Sequence, residues 1–341
     1  MLILSFAAFA SLATAKACGL KKFENFVTFG DSLTDDTRGP YFLKHEELPP
    51  PGVVLPVETA SSGGAAWGRV VANTTGANYV NYAVQGATCD AEIVQRQFDL
   101  MNIPFPSILD YELPAFKADL QFKNVFPNRQ PDNTVYALWI GPNDLGEGGF
   151  FNDAQAPGAT LTNVTDCFWE VFDHIYATGG RYFVVNTQAP IYNFPLYRAI
   201  EDGGPGNNSL WLDKSNYNTT ALSEKMRQYV TSINTITKQG AAFHLKVKNR
   251  WPGATFVVFD AHQVLLDILA SPEEYLDAPA DVLGVYNKCE VLMEDCTPSE
   301  KPMSSFAFYD ELHISERVSE VMAEKFVEAV DGKSKYATYW S

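Results

Sequence analysis

The chain has 341 residues, 46% of them hydrophobic, and a formal net charge of −16. That is enough apolar material for one large α/β domain with its own core. So acidic a surface, with no basic run to offset it, repels phosphate backbones and excludes nucleic acid as a partner.

Residues 1–15, MLILSFAAFASLATA, form a short apolar run that ends in small residues, with Ala13 and Ala15 in an A-x-A pattern. This reads as a secretory signal peptide without the usual positive start, leaving residues 16–341 as a single domain. The run is too short to span a membrane, and no later segment holds 18 apolar residues free of charge, so no integral membrane association is expected. Secretion predicts glycosylation and disulfides. Acceptor sequons begin at Asn73, Asn163, Asn207 and Asn218. Of the five cysteines, Cys289 and Cys296 close a short loop and are the first choice for a bridge. The pairing of Cys18, Cys89 and Cys167 stays open, and the odd count leaves at least one thiol over unless it pairs between chains. No C-x-x-C or His/Cys cluster suggests a metal, and no cofactor is expected.

In chain order, short apolar segments at 25–30, 78–83, 134–140, 181–187 and 255–260 read as strands. Their apolar runs are near-continuous, as strands covered on both faces require. Helical spacing marks 167–177, 222–247 and 316–330. Strand–helix alternation implies parallel strands with helices on both sides. Two stretches, 188–220 and 271–305, read as loops. In such a sheet, ligands bind at the carboxyl ends of the strands.

Ser32 lies just past the end of the first strand. A serine alcohol is a weak nucleophile until a base takes its proton, and the base is usually a histidine oriented by a carboxylate. Among five histidines, His313 has Asp310 three residues before it, a spacing that makes neighbours on a turn or helix start. Ser315 is expected to cap the helix that follows. His262, two residues after Asp260, is the competitor, but that spacing sends side chains to opposite faces of an extended chain. His174 reads as a half-buried packing residue, His244 as structural, and His45 as a solvated loop histidine. Acyl transfer also needs donors aimed at the developing oxyanion. Gly86, after the second strand, offers a bare backbone N–H. Asn143, in the turn Gly141-Pro-Asn-Asp144 after the third, offers a side-chain amide. Asp35 and Asp36 are expected to favour the following helix start. Most of the aromatic rings read as core; Tyr41, Phe42 and Trp139 are no more than candidates for a sugar platform.

The ordered set Gly30-Asp-Ser-Leu33, Gly86, Gly141-Pro-Asn-Asp144 and Asp310-Glu-Leu-His313 resembles the four blocks of the GDSL, or SGNH, hydrolases. The resemblance implies a three-layer α/β/α sandwich with a flavodoxin-like five-stranded parallel sheet. It implies ester hydrolysis with Ser32 as nucleophile, His313 as base, Asp310 as orienter, and the Ser32 N–H, Gly86 N–H and Asn143 as oxyanion donors. FGDSLTDDTRGPYF, NYAVQGATCD and GGRYFVVNTQAP carry a closer likeness to secreted fungal members of carbohydrate esterase family 16, acetylesterases acting on plant-wall sugars. Ile314 departs from the proline that many relatives carry after the histidine. The substrate implied is a small ester or acetylated oligosaccharide, and a monomer is expected. A lipase or general carboxylesterase is the alternative, and a catalytically silent secreted binding protein a remote one. The chain has no G-x-S-x-G elbow, which disfavours the α/β-hydrolase fold.

Overall fold

The computed structural model describes residues 20–98, 103–291 and 294–341. Residues 1–15, read as a signal peptide, and Cys18 lie outside the described residues.

Six strands form the central sheet: β1 (Asn25–Gly30), β2 (Asn78–Asn81), β3 (Thr134–Trp139), β4 (Tyr182–Asn186), β5 (Thr255–Phe259) and β6 (Ala337–Trp340). Their spatial order is β6-β5-β4-β3-β1-β2. The first five are mutually parallel, and β6 runs antiparallel along β5. Every residue of β1, β3, β4 and β5 is buried, which explains their unbroken apolar runs. The parallel part has the 2-1-3-4-5 order of flavodoxin-like sheets, with its topological switch between β1 and β3. The five-stranded expectation holds for this parallel part. β6 has only four residues and is partly exposed, so its sequence carries little strand signal; pairing with β5 makes it a strand.

Helices cover both faces. On one, α1 (Trp67–Thr75) packs with α4 (Glu316–Val330). There Phe326 lies 5.4 Å from Phe26 and 5.7 Å from Phe259, ring to ring. On the other, α2 (Leu161–Ala177) packs against α3 (Thr219–Ala242), with Phe172 and Trp169 set 4.8 and 5.7 Å from Phe256. Caps explain where two helices start earlier than their apolar periodicity suggests. Thr160 and Asn163 form a capping box before α2, and the Asn218 side chain accepts the Ala221 N–H before α3. The 243–247 end of the second expected helix is a wider turn. Ser315 caps α4 through the Val318 N–H.

The stretch 188–220 contains short helical turns at Ile191–Asn193, Ile200–Asp202 and Lys214–Asn216 and one isolated bridge, Asn208 with Trp211, before α3 begins at Thr219. The second expected loop holds strands. Asp281–Val285 pairs with Phe306–Phe308, and Asn287–Val291 pairs with Glu294–Pro298. Cys289 and Cys296 face each other across that hairpin as a disulfide. A second disulfide joins Cys89, after β2, to Cys167 in α2. All four sequon asparagines are exposed.

Cys89–Cys167 spans 78 residues of sequence and Cys289–Cys296 spans 7. A longer loop restricts the unfolded chain more, by roughly 2 kcal/mol for this difference in the chain-entropy account. The double variant Cys89→Ala/Cys167→Ala should therefore lose clearly more stability in urea unfolding than Cys289→Ala/Cys296→Ala. Equal losses would mean that chain entropy is not the source.

Candidate active site

The turn after β1 is built by Asp31. Its carbonyl accepts the Thr34 and Asp35 N–H groups, each at 2.9 Å, and its carboxylate accepts the Leu33 N–H at 3.0 Å. These bonds leave Ser32 half-buried at the tip. Its Oγ lies 2.8 Å from Nε2 of His313, 281 residues away in sequence. His313 Nδ1 is 2.9 and 2.8 Å from the two carboxylate oxygens of Asp310. Asp310 Oδ1 also accepts the backbone N–H groups of Leu312 and His313, both at 2.8 Å. The turn thus fixes the carboxylate and the carboxylate fixes the ring. Ile314 is buried and bridges to Phe308, tying this turn to the core.

The other two predicted groups approach the same edge. Gly86 has φ +83°, and a Cβ there would stand 2.5 Å from the Phe105 ring, so backbone conformation and space both require glycine. Gly141, with φ +131°, opens the turn that carries Asn143, and a Cβ there would strike Gln188. The N–H groups of Ser32 and Gly86 have no acceptor among the described residues. Asn143 Nδ2 donates to the Ala87 carbonyl at 2.9 Å, which uses one of its two hydrogens. Together these give three unspent donors in the turns that follow β1, β2 and β3.

Arg96 was not singled out by sequence reasoning. Its Nη1 donates to the Gly86 carbonyl and, at 3.1 Å, to Oδ1 of Asn143. One guanidinium therefore holds both blocks and sets which end of the Asn143 amide faces outward. No local pattern marks it. It lies ten residues past Gly86, and nothing in the sequence ties it to Asn143.

Burial dominates the electrostatics. Desolvation pushes Asp31 up to about 7, against the Leu33 N–H and the nearby His313 and Arg96. It likewise pushes Asp144 up to about 7, against its hydrogen bond from the Cys89 N–H. Glu112, fully buried and accepting the Gly30 N–H at 3.0 Å, is raised well above the usual carboxylate range by desolvation. Burial alone would lower the His313 imidazole. Asp310, Asp31 and Glu311 more than offset that, and its pKa is raised.

The remaining candidates lie apart. His262 Nε2 meets the Tyr192 hydroxyl at 3.1 Å, while Asp260 pairs with Lys238 at 2.6 Å. His244 packs 5.0 Å from the Trp169 ring. His174 is half-buried, lying 3.0 Å from Lys117. His45 stacks on Tyr41 in an exposed corner. Trp139 and Phe42 are buried core residues and line no cleft. Asp35 accepts the N–H groups of Thr37, Arg38 and Gly39 at the next helix start, whereas Asp36 pairs with Arg69 and Asn81. Among the described residues, no helix is long and apolar enough to cross a membrane, and no group of His, Cys, Asp and Glu could hold a metal.

A family profile of GDSL-like lipases/acylhydrolases matches residues 26–326. An acetylesterase of Hypocrea jecorina is 43% identical over 320 residues, covering 93% of this chain and 92% of its own. An acetylesterase of Thermothelomyces thermophilus is 25% identical over 247 residues, covering 69% of this chain and 76% of its own. A solved carbohydrate esterase covers 76% of this chain and 67% of its own at 11% identity, with a TM-score of 0.31; that match adds nothing to the fold described above.

The imidazole of His313 should titrate above the ordinary value of about 6.5, as followed by NMR. Asp31→Asn removes one carboxylate that raises it, so the midpoint should fall; an unchanged or higher midpoint would refute the coupling. The same variant has a stability signature. Folded Asp31 keeps, up to about pH 7, a proton that the unfolded chain releases near 4. Its contribution is therefore present below about pH 4 and lost as pH rises towards 7. Asp31→Asn should flatten that fall.

Proposed function

Because the chain belongs to the GDSL-like lipase/acylhydrolase family and is a carboxylic ester hydrolase, we propose that it is a secreted acetylesterase that removes acetyl groups from plant cell-wall carbohydrate, with Ser32, His313 and Asp310 as its catalytic triad. The observation that carries this reading is the 2.8 Å contact between Ser32 Oγ and His313 Nε2, with Asp310 behind the ring. The likeness to two fungal acetylesterases supports the acetyl group. Two disulfides fit an oxidising compartment.

Ser32 Oγ attacks the ester carbonyl carbon while His313 Nε2 takes the hydroxyl proton. Asp310 holds the ring so that Nε2 is the free lone pair, and it stabilises the imidazolium that forms. The carbonyl oxygen becomes an oxyanion and accepts from the Ser32 and Gly86 N–H groups and from Asn143 Nδ2. Collapse of this intermediate breaks the ester bond. The sugar alkoxide leaves with the proton from His313, and Ser32 remains acetylated. Water then attacks the acetyl carbon with His313 again as base, releasing acetate and restoring Ser32. Arg96 takes no proton; it keeps the Asn143 amide turned towards the oxyanion.

Ser32→Ala should abolish acetate release from acetylated xylo- and manno-oligosaccharides while the fold, followed by circular dichroism, is retained. Clean protein that kept more than a few per cent of turnover would point to another nucleophile. The rate should rise with pH through the raised His313 pKa, because the base must be neutral to accept a proton. A flat profile from acid to neutral pH would contradict the base assignment.

Asn143→Ala should lower kcat by roughly 100- to 1,000-fold with little change in KM, the pattern of an interaction made mainly in the transition state. Arg96→Met should lower kcat by roughly ten-fold or more in the same sense, since it misplaces the donor without removing it. Arg96→Lys should recover part of the loss. A rise in KM at unchanged kcat in these variants would assign both residues to ground-state binding.

A further inference from the structure

A cavity of about 280 Å³ lies between the residues that follow Asn143 and the stretch 196–225. Its walls include Phe151, Tyr197, Trp211 and Tyr217, with Glu147, Asn152 and the Asp153–Lys225 ion pair as polar members. The aromatics hold one another in place. Phe151 packs edge-on against Trp211 at 5.5 Å and against Tyr197 at 5.0 Å, and Trp211 lies 5.5 Å from Tyr217.

The cavity is joined to both halves of the catalytic edge. The Leu196 N–H, on its wall, donates to the Glu311 carbonyl at 2.8 Å, one residue from Asp310 and two from His313. On the other side, the Tyr197 hydroxyl accepts the Glu147 N–H at 3.3 Å, four residues past Asn143. Tyr197 also acts electrostatically on Arg96. The leaving alcohol of the ester must take its proton from His313, so its group has to sit on the histidine side of the serine. The bond from Leu196 to Glu311 ties the cavity wall to the turn that carries His313.

The platform is fixed from below. Lys214 is fully buried, and its Nζ donates to the carbonyls of Pro195 at 3.0 Å and Arg198 at 2.8 Å. The Trp211 N–H is held by Asn208 Oδ1 at 3.0 Å. From the opposite wall, Lys225 pins the Phe151 carbonyl at 2.9 Å. Such a site is rigid before a ligand arrives, which reduces the entropy lost on binding.

We infer that this cavity is the subsite for the sugar that carries the acetyl group, with Trp211 and Tyr217 as its stacking surface. The inference rests on the carbohydrate-acetylesterase reading above. A neutral pyranose has an apolar C–H face and a rim of hydroxyls. The aromatic walls match the face. The Glu147 carboxylate, which has no hydrogen-bond or ion-pair partner among the described residues, matches the rim as an acceptor. That carboxylate repels anionic ligands. Because it would also lose its water beside a hydrocarbon chain, it opposes use of the cavity for a long acyl group. The volume sits near the small end of ligand pockets, roughly 300–1,000 Å³, and suits a single sugar unit.

The test compares kcat/KM on acetylated xylo-oligosaccharides with kcat/KM on p-nitrophenyl acetate, which has no sugar, in the wild type and in Trp211→Ala and Tyr217→Ala. Tyr217 is 50% exposed, so its variant decides the matter if Trp211→Ala fails to fold. The ratio of oligosaccharide to nitrophenyl ester should fall ten-fold or more, mainly through KM. It should not fall in Leu212→Ala, whose side chain is exposed beside the platform and outside the cavity. A ratio within two-fold of wild type in every folded variant, with wild-type enzyme active on the sugars, overturns the subsite and leaves the acetylesterase reading standing. Wild-type enzyme that cleaves the nitrophenyl ester but releases no acetate from any acetylated sugar overturns both.

Discussion

The parallel pairing of β1 with β3 is the constraint on which the site depends. The register runs in step from Asn25 opposite Thr134 to Gly30 opposite Trp139. Both strands therefore end at the same level, and the chain leaves them in adjacent turns. Ser32 issues from one turn and Asn143 from the other. The switch in winding direction between these two strands opens the crevice that neighbouring crossover helices would otherwise cover. At the open end of β1, the Gly30 N–H goes to the buried Glu112 carboxyl, and so the strand stops there without an orphaned donor.

Desolvation gives the site its charge balance. Asp31 and Asp144 are fully buried, and each is pushed up to about 7. The same burial lowers Arg96. The charged forms of Asp31 and Asp144 are stabilised first by the Leu33 and Cys89 N–H groups and then by Arg96, with His313 also acting on Asp31. Asp310 differs from them. It is partly exposed and accepts from two backbone N–H groups as well as His313. The acids beneath the site give up their protons only near pH 7.

Rigidity at the edge comes from bonds that cross between loops. Arg96 bridges Gly86 and Asn143, and Cys89–Cys167 anchors the segment after Gly86 to α2. Asp144 accepts the Cys89 N–H. The turn after β3, the loop after β2 and the helix α2 are therefore tied within a few residues of one another. The stretch 196–218 has little regular structure, yet buried Lys214 and rings packed edge-on hold it, which is how an irregular segment can shape a cavity without a strand or long helix beneath it.

The buried strands and the motif residues were legible in the sequence because their signals are local. A strand covered on both faces must be apolar throughout, as in 25–30 and 134–139. A carboxylate three residues before a histidine on a turn must lie beside it, as Asp310 lies beside His313. The α4 boundaries could be read from its apolar face and its Ser315 cap for the same reason. The start of α2 was missed because its cap, Thr160 with Asn163, lies before the apolar periodicity begins. Other features depended on partners distant in the chain. β6 is a strand because β5 offers it an open edge. Arg96 has its role because the fold brings Gly86 and Asn143 to one guanidinium. Cys89 meets Cys167 across 78 residues. The sequence by itself determined the parallel sheet and which residue types would gather at its carboxyl edge, since local burial and turn chemistry require them. Only the tertiary structure decided what holds the Asn143 amide, which cysteines pair across the sheet's edge and where the aromatic cavity lies, because each is a contact between segments that local sequence does not couple.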